Sequence, residues 1–513
     1  MTRTGQTGGV STHLEPPRLS APVAGLIGVI ALVAALGAGH LVAGFVGAGA
    51  SPFFAVGNAA IDVSPGWLKD FAVRAFGTAD KAVLLTGMAV VALALAVAAG
   101  LASRRRSAPG LVFVSVVGVL GGVAVFTRPD LGQIALLAPV VSLVAGLAVF
   151  GWLHRTALDG QYSSAARRNF LLAVAGAGAA GVAGQLVGAS KDAEGSRVAV
   201  GPLIPARTAP PVPAGADFAK FGTPPFLTPN ADFYRIDTAL VVPQVRTEDW
   251  SLRIHGMVDR ETTYSWSDIR NRPLVERIVT LCCVSNPVGG PYISTARFVG
   301  VDLAELLAEA GVAPGAEQVF STSADGWTAG TPVAAMADPS VGAMLAIGMN
   351  GEPLPVEHGF PARLVVPGLY GYVSATKWVT DLEVTTWDAR TPYWLRRGWA
   401  KHAPIKTQSR IDAPRGPVTA GPVRVAGIAW AQHTGIDRVE VSVDDGPWEP
   451  AQLSTEVTVD AWRMWWADVA AARGSHVVRV RATDRSGYTQ TDQLADVLPD
   501  GATGWYAITF TAR

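Results

Sequence analysis

The chain has 513 residues, with 41 Lys and Arg against 41 Asp and Glu and only two cysteines. That length suits about three domains of roughly 150 residues each. A formal net charge of zero carries no electrostatic footprint for nucleic acid, and two cysteines adjacent in sequence rule out a disulfide framework. Residues 1–190 are dominated by Ala, Val, Leu and Gly, while almost all the Asp and Glu lies beyond them.

Segments long and apolar enough to cross about 30 Å of hydrocarbon fall at residues 22–48, 80–101, 110–126, 131–153 and 169–188. Charges are missing from every face of these segments rather than from one, which predicts a bundle of five transmembrane helices rather than buried helices of a soluble domain. Basic clusters stay on the cytoplasmic side. Arg104-Arg105-Arg106, Arg155 with Arg167-Arg168, and Arg3 with Arg18 all fall on one side when the count is five. The N-terminus is then cytoplasmic, and everything after residue 190 is outside the plasma membrane. Residues 52–79, with Phe53, Phe54, Trp67, Phe71 and Phe76, would lie outside along the interface. Arg167-Arg168-Asn169-Phe170-Leu171-Leu172 reads as a twin-arginine-like export signal placed internally. His40 and His154 fall towards opposite ends of their spans, so they do not share one iron and no haem is predicted in this chain.

Residues 191–217 form a proline-rich linker, read as an extended, semi-rigid spacer, with Pro202, Pro205, Pro210, Pro211 and Pro213. Residues 218–412 mix short strand-like runs (Trp250 to Ile254, Arg363 to Val366, Leu382 to Thr385) with a helix-like stretch around Val301 to Ala310, which predicts an α+β domain. Residues 413–513 alternate like half-buried strands at Val423 to Trp430, Arg438 to Val443, Trp462 to Val469 and Val477 to Thr483. Turns at Asp445-Gly446 and Ser486-Gly487 complete the pattern of an all-β sandwich.

Chemistry concentrates in Leu281-Cys282-Cys283-Val284-Ser285-Asn286-Pro287-Val288-Gly289-Gly290, which holds both cysteines. A thiolate there is either a nucleophile or a metal ligand. His358, in His358-Gly359-Phe360-Pro361-Ala362-Arg363, is a partner for a Cys-His hydrolase, whereas Arg363 and Lys377 suit a phosphate. The residues alone leave both readings open, together with a non-catalytic binding or assembly module.

Leu227-Thr228-Pro229-Asn230-Ala231-Asp232-Phe233-Tyr234-Arg235, the Cys283 loop, Met349-Asn350-Gly351-Glu352-Pro353-Leu354-Pro355, His358-Gly359-Phe360-Pro361, Val366-Pro367-Gly368, Gly371 to Trp378 and Tyr393-Trp394-Leu395-Arg396-Arg397-Gly398-Trp399 come in a recognisable order. Together they resemble the sulfite oxidase family of molybdopterin enzymes, over roughly residues 218–510. The resemblance implies a molybdopterin domain followed by an Ig-like dimerisation domain, with Cys283 as the thiolate ligand of molybdenum and Cys282 a packed strand residue. It implies pterin and phosphate contacts at Asn230, Tyr234, Arg235, Asp325, His358, Arg363, Ser374, Thr376 and Lys377. Arg235 and Trp399 would face the substrate, Trp399 replacing the family's pocket tyrosine. The family follows its ligand cysteine with Ala-Gly-Asn-Arg-Arg, while here Val284-Ser285-Asn286-Pro287-Val288 brings no charge, which argues against sulfite as substrate. The implied activity is two-electron oxygen-atom transfer on a small molecule, as an oxidase or as a sulfoxide-type reductase. The implied partners are a cytochrome or membrane electron carrier and a second copy through the sandwich.

Overall fold

The computed structural model describes residues 18–65, 79–128, 131–158 and 193–513, with scattered positions between these stretches. It divides into two units, Met1–Ser190 and Lys191–Arg513.

The first unit is helical: α1 (Ala21–Val46), α2 (Pro52–Val63), α3 (Asp80–Ala102), α4 (Ala108–Phe126) and α5 (Leu137–Leu158). Among the described residues four helices are long and apolar enough to cross a membrane, namely α1, α3, α4 and α5 with the 3-10 turn before it. The fifth expected span, residues 169–188, and the twin-arginine-like segment lie outside the described residues apart from isolated positions. Helices in lipid gain no hydrophobic drive towards each other, so they pack through small residues. A Cβ on Gly28 would lie 2.0 Å from the Ala96 carbonyl oxygen, and one on Gly100 would lie 2.1 Å from that of Ala24. The α1 and α3 backbones therefore touch directly. At one end of this bundle Arg104 Nε donates to Leu19 O at 2.9 Å and His154 Nε2 lies 2.6 Å from Ser103 O. His40 packs edge-on against Phe54, with ring centroids 5.7 Å apart.

The second unit begins with two five-stranded sheets. One runs in the order β2 (Thr262–Ser265), β1 (Ser251–Gly256), β10 (Val379–Thr385), β5 (Gln318–Ser323), β6 (Thr328–Pro332), with β1 parallel to β10 and every other pair antiparallel. The other is antiparallel: β3 (Val275–Cys282), β4 (Ile293–Asp302), β7 (Met344–Met349) and β8 (Glu352–Pro353), with β9 (Arg363–Val365) also on β7. Leu303, Leu306, Leu307 and Ala310 put one apolar stripe on the helix Leu303–Ala310, which buries it against Leu252, Ile254, Leu345 and Leu382. Val301 and Asp302, expected in that helix, complete β4 instead.

β3 is buried on both faces, which alternate with period two. Val279 and Leu281 join a core with Phe233, Phe298 and Phe360, while Ile278 and Cys282 join a different core with Tyr370, Trp399 and Trp462. Cys282 thus faces this second core, and Cys283 follows the last residue of the strand.

The proline-rich segment does not stand off as a spacer. The helix Ala193–Val200 packs on the domain, with Ser196 Oγ 2.9 Å from Thr247 Oγ1. Further on, Ala206 N donates to Leu274 O at 2.8 Å and Glu276 N to Arg207 O at 2.8 Å, and Ala209 and Ala216 are buried. Proline favours an extended chain, and an extended chain can run along a sheet edge as readily as through water.

The C-terminal region is two four-stranded antiparallel sheets. One is β11 (Gln408–Ala413), β12 (Gly421–Trp430), β16 (Arg463–Ala471) and β15 (Gln452–Leu453); the other is β14 (Glu449–Pro450), β13 (Ile436–Val443), β17 (Gly474–Asp484) and β18 (Tyr506–Ala512). Val425, Trp465 and Ala467 from the first face Val439, Val441, Val480 and Phe510 from the second across a shared core. β11 starts at Gln408, ahead of the boundary expected at 413.

Candidate active site around the cysteine strand

Cys283 follows directly on β3. Its N–H donates to Tyr292 O at 3.0 Å and its carbonyl accepts from Asn286 N at 3.0 Å, so a tight turn presents the thiol. Both thiols are free and buried. Burial pushes the Cys283 thiol up, opposed by hydrogen bonds from the Ser285 N–H and hydroxyl. Burial and then the charge of Cys283 push Cys282 up further, against Arg410 and Asn286. The phenol of Tyr234 is also held well above its ordinary value, by burial and then by Cys283 and Cys282, so it stays protonated.

A set of polar side chains assembles on the Tyr234 side. Asn230 sits on the turn Asn230–Asp232, its Oδ1 accepting from Asn350 Nδ2 at 2.8 Å and its Nδ2 donating to Glu352 Oε1 at 2.5 Å. The Asn230 carbonyl lies 3.1 Å from His358 Nε2, which makes that nitrogen the protonated one, and Phe233 packs edge-on against the imidazole. His358 is 3% exposed, and burial, followed by Arg363 and Lys377, lowers it to about 4. It is neutral at ordinary pH.

Arg363 lies on β9 and is 5% exposed. Nη1 donates to His358 O at 3.1 Å, Nη2 to Ala375 O at 3.4 Å and Nε to Leu364 O at 3.4 Å. All three acceptors are carbonyls, and among the described residues no carboxylate pairs with it. Burial lowers it to about 10, which still leaves a full positive charge at neutral pH. Lys377 Nζ meets Asp237 Oδ2 at 2.6 Å and Glu357 O at 3.2 Å, and the same Asp237 oxygen receives Arg235 Nε at 3.0 Å. Burial lowers Lys377 to about 8, with Asp237 pulling the other way.

Asp325 turns the chain between β5 and β6, accepting from Trp327 N at 3.2 Å, while Ala324 N donates to Trp378 O at 2.8 Å and places the turn beside the Lys377 strand. Ser374 and Thr376 are fully buried and their hydroxyls are engaged inside the fold: Ser374 donates to Leu369 O and Tyr370 O, and Thr376 meets Ser321 Oγ at 2.7 Å. Trp399 lies in the aromatic core on the Cys282 side, with ring centroids 5.6 Å from Tyr372 and 6.0 Å from Trp394. Two residues that sequence reasoning passed over tie the set together. Asp237, two places after Arg235, joins it to Lys377, and Asn350, held at φ 50, orients Asn230.

A buried guanidinium without a counter-anion is costly, because desolvation is not repaid by a partner. The donor set here, Arg363 with Lys377 beside it, fits a phosphate-bearing cofactor, and the sulfur of Cys283 fits a soft metal.

Comparison with known proteins agrees. The family described as "Oxidoreductase molybdopterin binding domain" matches residues 239–394. Sulfite oxidase of Gallus gallus is 30% identical over 322 residues, covering 53% of this chain and 70% of that protein. The chain belongs to the sulfite oxidase family. Mitochondrial sulfite oxidase of Homo sapiens is also 30% identical, over 327 residues, but this chain spans only 58% of its length. Nitrate reductase [NADPH] of Emericella nidulans is 35% identical over 192 residues, 33% of this chain and 22% of that enzyme. Among solved structures the sulfane dehydrogenase SoxCD of Paracoccus pantotrophus shares 26% identity over 52% of this chain and 74% of its own, with a TM-score of 0.45. The matched stretch, residues 239–394, is thus a molybdopterin-binding domain of the oxidoreductase type.

Proposed function

We propose that this chain is a membrane-anchored molybdopterin oxidoreductase that carries out two-electron oxygen-atom transfer on a small extracytoplasmic substrate. Electrons pass to or from a separate partner, a cytochrome or a membrane electron carrier. The observation that carries the reading is Arg363: a fully charged, 5% exposed guanidinium whose hydrogen bonds all go to carbonyls. The molybdenum cofactor, when bound, supplies the oxygen-atom-transfer and redox chemistry.

The protein's own part follows from the site. Cys283 is the thiolate ligand. Arg363 and Lys377 hold the cofactor's phosphate, and neutral His358, its Nε2–H tied to the Asn230 carbonyl, leaves Nδ1 as an uncharged acceptor. Tyr234 stays protonated beside the thiolate and so offers a donor. Arg235, partly exposed and paired with Asp237, and Trp399 are read as the substrate-facing residues. The loop Val284-Ser285-Asn286-Pro287-Val288 brings no cation, which favours a substrate of lower charge than sulfite. The C-terminal sandwich is read as Ig-like and dimer-forming, and the four apolar helices with a fifth at 169–188 as the anchor, N-terminus inside.

Metal analysis of the purified full chain tests this. About one molybdenum per chain, lost with Cys283→Ser and kept with Cys282→Ser, is the expected result. A metal-free protein that retains oxidoreductase activity overturns it. A reporter fused after residue 195 that proves cytoplasmic overturns the membrane orientation.

A further inference from the structure

β3 is an edge strand, paired with β4 on one side only. Backbone groups on the free side of an edge need partners from elsewhere when they are buried. Near the start of β3 the Arg207 segment supplies them. Near the cysteines they come from the C-terminal sandwich. Thr280 N donates to Asp460 O at 2.9 Å, and Gln432 Nε2 donates both to Thr280 O and, at 3.0 Å, to Asp460 O. Thr280 Oγ1 accepts from Trp462 N at 2.7 Å and shares a short hydrogen bond with Thr295 Oγ1. Beyond the cysteines, Arg410 of β11 donates through Nη1 to Gly290 O at 2.7 Å while Asp412 holds its Nε at 2.9 Å. The chain is thus fastened to the sandwich at Thr280, three residues before Cys283, and at Gly290, seven after it.

Apolar packing alone lets a strand slide by small amounts. A buried polar group left unpaired costs about 1–3 kcal/mol, so a displacement that breaks the Thr280 contacts is discrete and unfavourable. Thr280 is 0% exposed, and its N–H, its carbonyl and its hydroxyl are all engaged by the sandwich. A metal ligand needs its sulfur held within a fraction of an ångström, and such precision comes from the residues behind it.

We propose that the C-terminal sandwich sets the position of Cys283, with Gln432 and Arg410 as positioning residues. This rests on the reading of Cys283 as the molybdenum ligand. The test uses detergent-solubilised full chain carrying Cys282→Ser throughout, so that Cys283 is the only thiol. In protein prepared without cofactor, the rate of Cys283 alkylation by iodoacetamide is compared among the parent, Gln432→Ala, Arg410→Ala, Arg410→Lys and the exposed-face control Arg438→Ala, all below their melting temperatures. Freeing the strand should raise the rate about tenfold or more in Gln432→Ala and Arg410→Ala, by less in Arg410→Lys, and not in Arg438→Ala. In protein loaded with cofactor, the Mo(V) paramagnetic signal should shift in the first two. Unchanged alkylation and an unchanged Mo(V) signal in both overturn the proposal, even where the melting temperature falls. If Gln432→Ala does not fold, Arg410→Ala and Arg410→Lys decide by the same readouts. A parent that binds no molybdenum yet shows the alkylation difference sinks the metal reading and supports the positioning.

Discussion

Arg481 and Arg363 are both strand or strand-flanking arginines of the same unit, and they live under opposite electrostatic terms. On β17, Arg481 meets Glu440 at 3.0 Å and covers the Trp448 ring at 4.3 Å, with a quarter of its side chain in solvent. On β9, Arg363 is buried among carbonyls and lacks a carboxylate among the described residues. The first is an ordinary compensated surface charge. The second is a charge that the protein alone does not balance, and this difference marks where a ligand anion belongs.

The largest expected effect is on that ligand. Arg363→Met should release the cofactor while making the cofactor-free protein more stable by about 1–4 kcal/mol, since a buried unpaired charge is exchanged for packing. Pterin content and chemical denaturation of the cofactor-free form are the two measurements, and a destabilised cofactor-free variant breaks the comparison.

His358 gives the next effect. Its ordinary value is 6.5 and the fold lowers it to about 4, so below about 6.5 the unfolded chain takes a proton that the folded one refuses. Stability should therefore fall as pH drops from about 6.5 to about 4, by about 3 kcal/mol, and flatten below. Acid denaturation of His358→Gln should lack that slope; an identical slope would show that another group is responsible.

Arg481→Met completes the contrast: a partly exposed pair of this kind contributes about 1 kcal/mol or less, and the cofactor content should not move. A loss of cofactor on this substitution would remove the distinction between the two arginines.

Much of the sandwich was legible because strands buried on one face must alternate, and Val423 to Trp430 and Val477 to Thr483 reappear as β12 and β17. The helix at Leu303–Ala310 was legible from its stripe. The course of residues 206–216 was not, because proline content fixes local extension and says nothing of what lies alongside. In the site, the residue types at Cys283, His358, Arg363 and Lys377 were readable, whereas the Asp237 bridge spans 140 residues of chain and has no local signature. Ser374 and Thr376 matched a motif, yet only the fold shows that their hydroxyls face inward. Likewise, that Arg363 has no carboxylate is a statement about everything around it, which no single stretch contains.

The fastening of Thr280 also sets an order of events during synthesis. Gln432 and Trp462 follow Thr280 by 152 and 182 residues, so while the ribosome is still translating them the cysteine strand has an open edge. Cys283 is thus made well before the residues that close the edge beside it. A chain stopped before residue 432 would carry Arg363, Lys377 and Arg410 yet lack the Gln432 and Trp462 contacts to Thr280.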